Sequence, residues 1–402
     1  MDCFECMSIV PVLLFRLVVY LCPCMFKHKT HFNSSLEAQM NSATFKRKFG
    51  WWTGAYKQEI NTRECFYTLL GLLNRKKGTE ELEMFVSKLA ENMNRTGQVP
   101  DRWTVGWWAG ETPHYRSRIK EVPVVDSNMF FLILMWYNYW DNQDQGDGPG
   151  ITADLYLSTQ RAFKWLERFI ADDTFYEPVD SSWETTREHS GHLLLTNVLM
   201  IKTIHSMEMI ALVNKDTRLR DKCRALHTKF IQKWQPELYR TQEVLPRILA
   251  VYWSIVPASF TMSFNQELNT LFIPLRSEGP IKIRKTLRSW LKGRDDMHTD
   301  VIWPFVGFLW ILALSKHMKI EAASHWWNNY MDFHAPSTLH DMYDTDGKPI
   351  HRAFLRAEGM HVATISLFLA AKHALENMEN DAKKLQWMDT ETLTTRSDGF
   401  HV

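Results

Sequence analysis

The chain has 402 residues, 45% of them hydrophobic and 23% charged, and its 47 Lys and Arg nearly balance 46 Asp and Glu for a net charge of +1. That length and apolar fraction suffice for one large core or two ordinary ones. No block of like charge interrupts the sequence, so neither a nucleic acid nor an anionic membrane surface is an expected partner.

At the N-terminus, Cys3, Cys6, Cys22 and Cys24 are crowded around a hydrophobic run over residues 9–26. The run is broken by Arg16 and Pro23 and preceded by Asp2 and Glu5, which makes it a poor signal peptide and a short, interrupted membrane span. We therefore expect residues 1–30 to be an extension, 31–380 the folded domain and 381–402 a polar tail. Only Cys65 and Cys223 remain in the body, a poor disulfide framework that points to a reducing, cytoplasmic compartment. A secretory or signal-anchored route through residues 9–26 is the alternative. The N-terminal Cys spacing lacks the knuckle of a zinc site, and no metal or other cofactor is expected.

Along the body no stretch alternates apolar and polar residues convincingly, whereas helical periodicity recurs, so the fold reads as all-α. In chain order, a helix over residues 35–48 is followed by Arg63–Asn74, apolar nearly all round, and by amphipathic Thr79–Met93. Ser127–Trp140 and Ala153–Ile170 repeat that pair, as do His192–Val213 and Asp216–Lys233. Val244–Met262 is expected as one further enclosed helix and Pro280–Leu291 as an amphipathic one. Trp303–His317, Lys319–Met331 and Gly359–Leu375 complete the series. A helix apolar on every side must be enclosed, and a striped one lies outside it. The alternation predicts six inner and six outer helices, an (α/α)6 toroid.

Connections from inner to outer helices are short and the reverse ones are long, spanning residues 94–125, 171–191, 292–302 and 332–358. Parallel inner helices would put the long loops on one mouth, where function usually resides. These loops hold Asp126, Glu184, Asp295, Asp296, Asp300 and Asp341 near the starts of inner helices. Trp51, Trp52, Trp103, Trp107, Trp108 and Trp183 fall in segments of loop composition, where a flat apolar face suits a sugar ring. Glu184 and Asp341 are the pair expected to face each other, the minimum equipment for cleaving a glycosidic bond.

Four segments carry a family likeness: Val122–Asn128; Ser182-Trp183-Glu184-Thr185 with Leu194–Val198; His298–Phe305; and Asp341–Pro349. In that order they resemble the six-hairpin glycosidases, in particular the group of glycogen-debranching α-1,6-glucosidases, processing α-glucosidases and neutral/alkaline invertases, over roughly residues 49–375. The resemblance implies an oligosaccharide or glycoside substrate, Glu184 as general acid and Asp341 as base of an inverting hydrolysis. It also implies that Asp126 holds sugar hydroxyls, that Trp183, His298 and Trp303 shape the pocket, and that Asp300, Tyr343, Trp107 and Trp108 contribute to binding.

Relatives usually carry Asp where this chain has Glu184 and Glu where it has Asp341, so both acids are exchanged for their homologue. A carboxylate misplaced by about 1 Å can lose roughly a hundredfold in rate. The exchange motivates a second expectation, a sugar-binding protein that has lost turnover. A third is an inverting disaccharide phosphorylase, whose phosphate pocket would fall to Arg116, Arg118 or Arg352. Asp344 and Glu188 are the fallback acids. The Asp344–Gly347 turn fails the calcium-loop pattern at Met342 and Ala353.

Overall fold

The structure, a computed structural model, describes residues 46–47, 50–51, 59–106, 110–116, 122–144, 151–178, 192–241, 243–270, 302–333, 339–340, 343, 348–349, 351–352, 355–356 and 361–378. Its helices are α1 (Thr62–Leu73), α2 (Thr79–Glu91), α3 (Asp126–Asp144), α4 (Ala153–Leu166), α5 (Leu194–Val213), α6 (Thr217–Arg240), α7 (Val244–Tyr252), α8 (Ala258–Thr270), α9 (Pro304–Lys316), α10 (Ile320–Phe333) and α11 (residues 362–378). The odd-numbered helices are buried on nearly every side, while α2, α4 and α6 bury one stripe each. No described helix is long and apolar enough to cross a membrane.

The enclosed helices form a closed ring. Neighbouring pairs α1–α3, α3–α5, α5–α7 and α7–α9 pack directly, and Phe308 of α9 meets Phe368 of α11 edge-on with ring centroids 5.3 Å apart. Closure between α11 and α1 is a close contact: Ser366 Oγ donates to Thr68 O at 2.7 Å, and a Cβ on Gly71 would lie 2.6 Å from the Ser366 carbonyl carbon. Only glycine permits that approach. N-terminal ends meet N-terminal ends, as Arg63 with Asp126 and Glu64 with His361 show. C-terminal ends likewise meet, through Asn74 with Tyr252 and His317 with Val251. The inner helices are therefore parallel, and the ring has two distinct faces.

Four inner helices end in the same way. Lys76, Lys215, Ser254 and Met318 have positive φ, and each is followed by an amide that reaches back five residues: Lys77 to Leu72, Asp216 to Ala211, Ile255 to Ala250 and Lys319 to Leu314. This is the Schellman arrangement, usually built on glycine. It corrects the expectation of a single helix over Val244–Met262. The chain turns at Ser254, Pro257 cannot continue the helix, and α8 is the outer partner of α7. Pro280–Leu291, expected in that role, lies outside the described residues, as do 35–45. Outer α4 also stops early, passing at Glu167 into a 3-10 turn and then a strand, whereas α6 runs beyond the expected Lys233 to Arg240 with Pro236 inside it.

Short strands, not expected from the sequence, line the N-terminal face. β3 (Glu59–Asn61), β4 (Arg102–Gly106) and β5 (Gly110–His114) form an antiparallel sheet with Ile60 opposite Trp103 and Arg102 opposite His114. The alternation in Arg102–Gly106 is real but five residues long, too short to register as a strand signal. Trp103 is fully buried against Phe85, with ring centroids 6.2 Å apart, and Trp51 on β2 (Gly50–Trp51) is 2% exposed. Both belong to the core, which corrects their expected place among the sugar-facing loop tryptophans. Two-stranded ribbons pair β1 (Lys46–Arg47) with β2, β6 (Ile170–Ala171) with β7 (Thr174–Phe175), and β8 (His351–Arg352) with β9 (Leu355–Arg356).

Midway along α5, Lys202 is 9% exposed. Burial and the nearby Lys316 push its ammonium down to about 8. Above the ordinary lysine range neither state is charged there and nothing is lost. As pH falls, the unfolded chain takes up its proton first, and below about 8 the full penalty applies. Lys202→Met is therefore expected to raise stability at neutral pH by as much as about 3 kcal/mol, a gain that vanishes in strong base and is readable from urea unfolding at several pH values.

Candidate active site

The mouth of the ring is built where inner helices begin. Asn61 caps α1, its Oδ1 accepting from the amides of Arg63 and Glu64 at 2.9 and 3.4 Å. This fixes the first turn, from which Arg63 reaches across to Asp126 at the first turn of α3. Nε and a terminal nitrogen of Arg63 donate to Asp126 Oδ2 at 3.0 and 2.5 Å. Asp126 is 1% exposed. Burial pushes its carboxyl above the usual range, even against the opposing effects of Arg63 and the Ser127 amide. Its second oxygen, Oδ1, is buried with no well-formed hydrogen bond among the described residues, which leaves a charged acceptor at the mouth with spare capacity.

Beside it, Glu64 Oε2 pairs with His361 Nε2 at 2.7 Å, and His361 Nδ1 meets Thr364 Oγ1 at 2.9 Å. Burial alone would push Glu64 upward, but His361 and Arg63 outweigh it and hold the carboxyl below its usual range. The sequence reading missed Arg63, Glu64 and His361. Arg63 and Glu64 sit just inside α1 and His361 just before α11, where a charged residue reads as a helix-end partner.

Aromatic side chains complete this part of the rim. Ile302 and Tyr343 exchange backbone hydrogen bonds of 2.8 and 3.0 Å, which ties the Tyr343 segment to the entrance of α9. His340 N donates to the Tyr343 hydroxyl at 2.9 Å. Trp303, half-buried, packs edge-on to Phe305 at 6.0 Å, and Phe305 lies 5.4 Å from Tyr67. Tyr343 is buried. A further acid follows β7: Glu177, fully buried, accepts from the Thr196 hydroxyl in the first turn of α5. Seven positions before Glu184, it was not singled out because no Trp or motif flanks it. Thr174 Oγ1 meets His192 Nδ1 at 2.6 Å, so the chain that leaves α4 and the chain that enters α5 are joined at this end.

Of the residues expected at the site, the structure thus brings Asp126, Trp303 and Tyr343 to the N-terminal face. Glu184, Asp341, Trp183, His298, Asp300, Trp107 and Trp108 lie outside the described residues, with Trp52, Glu188, Asp295, Asp296, Asp344 and Arg118. Arg116 is exposed on an isolated bridge to Pro123. No group of three or more metal-ligating side chains occurs among the described residues.

No protein-family model matches the chain, and the comparison with curated proteins finds no match. Solved structures do match. A mannosylglycerate hydrolase of glycoside hydrolase family 63 from Thermus thermophilus, solved with glucose, superposes with a TM-score of 0.58 at 8% identity, covering 84% of this chain and 99% of that one. A glycosidase variant in complex with glucose gives 0.55 at 11% identity over 83% and 93% of the two chains. A rhamnosidase from Klebsiella oxytoca with rhamnose bound gives 0.54 at 12% identity over 80% of this chain, which spans 59% of that enzyme's length. The chain has the six-hairpin (α/α)6 toroid fold of these glycosidases.

Proposed function

We propose that this protein is a glycoside hydrolase acting by inversion on an α-glucoside or related oligosaccharide. In this reading Glu184 protonates the leaving oxygen, Asp341 activates water, and Asp126 accepts a hydrogen bond from a sugar hydroxyl. The observation that carries it is the fold: across at least four-fifths of the chain, the solved structures that it matches include glycosidases, two of them with glucose and one with rhamnose.

Ring order adds support. The segment containing Glu184 precedes the third inner helix and that containing Asp341 precedes the sixth, and these stand opposite each other in a ring of six. The sequence neighbours of both acids, Glu177 and His192 for one, His340 and Tyr343 for the other, make their contacts at the mouth. Inversion needs room for a water between the carboxyls, about 6.5–9.5 Å, a separation suited to groups reaching in from opposite walls. Asp126 matches its role because its buried Oδ1 has acceptor capacity left.

The test is incubation of the full chain with a panel of α- and β-linked di- and oligosaccharides, with and without phosphate. Release of free sugar without phosphate is expected. Release that depends on phosphate would make the protein a phosphorylase, and saturable sugar binding without any release would make it a binding protein.

A further inference from the structure

The C-terminal face of the ring gathers hydrogen-bond donors without acceptors. Lys202 Nζ makes no hydrogen bond and no ion pair among the described residues; it lies 5.5 Å from the centre of the Tyr137 ring. Lys316, at the end of α9, sets its Nζ 3.7 Å from the centre of the Tyr252 ring. Tyr137 Oη accepts from Trp253 Nε1 at 3.0 Å, and Tyr252 Oη accepts from Asn74 Nδ2 at 2.7 Å. Each hydroxyl therefore keeps its own hydrogen to donate, and neither has an acceptor among the described residues. Five inner helices, α1, α3, α5, α7 and α9, contribute to this group.

Among the described residues, no nearby group offers Lys202 negative charge. The charged neighbour that acts on Lys202 is Lys316, a like charge. Glu208, one turn and a half along α5, is engaged by Arg224 Nε at 2.9 Å. His205 is pushed down to about 4 by burial, Lys202 and His227, and is neutral at pH 7; His227 is likewise lowered by burial. Helix carbonyl ends ordinarily repel an anion, but here the Schellman bonds of α1, α5, α7 and α9 already occupy the nearest carbonyls.

We propose that Lys202 and Lys316, with the hydroxyls of Tyr137 and Tyr252, form a binding site for a small oxyanion, a phosphate or carboxylate group, at the end of the ring opposite the mouth. Two ammonium groups and two hydroxyl donors match the lone pairs of such an anion. Its charge would also relieve the repulsion and desolvation that the two lysines otherwise bear. Exposed Lys316 leaves the site open to solvent on the far face, so this site is separate from any saccharide bound at the mouth.

The test is calorimetric titration of the full chain at pH 7 with sodium phosphate and, separately, sodium acetate, ionic strength being held constant with sodium chloride. Saturable binding of one anion per chain is expected, from phosphate alone or from both according to the group preferred. Lys202→Met and Lys316→Met should each weaken it about tenfold or more, and Tyr137→Phe less. Lys316 is exposed, so its variant tests the site without risk to the fold. Absence of saturable heat with both anions, or unchanged affinity in both lysine variants, would overturn the proposal.

Discussion

Glu184→Gln and Asp341→Asn are each expected to lower kcat by about 100- to 10,000-fold on the best natural substrate, the range that a positioned acid or base contributes. The two losses should differ in kind. Without its acid, Glu184→Gln should recover much of its rate on aryl glycosides whose leaving group departs unprotonated, while Asp341→Asn should stay slow on every substrate because water is unactivated in each case. The pH profile separates them again: the basic limb of kcat/KM belongs to the acid and the acidic limb to the base. If either variant matched the parent on all substrates, that residue would have no part in the chemistry, and Glu177, buried at the entrance to the third inner helix, would be the next to replace.

Asp126→Ala should lower stability by about 3–5 kcal/mol, the usual consequence of removing one partner of a buried ion pair. Arg63, which donates twice to Asp126 Oδ2, would keep its charge in a site without that carboxylate. Removing both charges, as in Arg63→Met with Asp126→Leu, should restore most of the loss, because the pair's own desolvation disappears with it. Urea unfolding of the two variants measures both effects. The pH dependence has a definite sign. The Asp126 carboxyl is raised, so its contribution to stability is greatest in acid and is lost as pH rises through its folded value. Acid unfolding must come from groups such as Glu64 and Glu267, whose lowered carboxyls stabilise the fold above the usual range and lose that contribution as pH falls. A sugar-binding defect in Asp126→Ala therefore has to be judged on protein shown to be folded.

Much of this architecture can be read from the amino acids because one signal dominates it. A helix such as Pro304–Lys316, apolar on every side, admits no place but an enclosed one, and Thr79–Glu91 with Leu82, Val86 and Leu89 on one stripe admits no place but beside it. The turns were less legible. Ser254 adopts the left-handed conformation that glycine normally marks, so the break between α7 and α8 carries no glycine signal, and a single helix was the natural reading. The sheet at the mouth was hidden by the brevity of its strands. Trp51 and Trp103 show a related limit: composition places a tryptophan in a loop, yet whether its face meets sugar or core depends on pairing between distant segments, here Ile60 opposite Trp103. At the site, Asp126 was legible from its motif at a helix start, but Arg63 and His361 were not, since each acquires its partner only when the ring closes.

The most direct test of the account is proton NMR of the reaction on the best substrate from the panel, started with concentrated enzyme and recorded before mutarotation mixes the anomers. The account predicts that the first sugar formed has the anomeric configuration opposite to that of the bond cleaved, and that the signal is absent with Glu184→Gln and Asp341→Asn. Retention of configuration, or an inverted product formed at the parent rate by both variants, would contradict it.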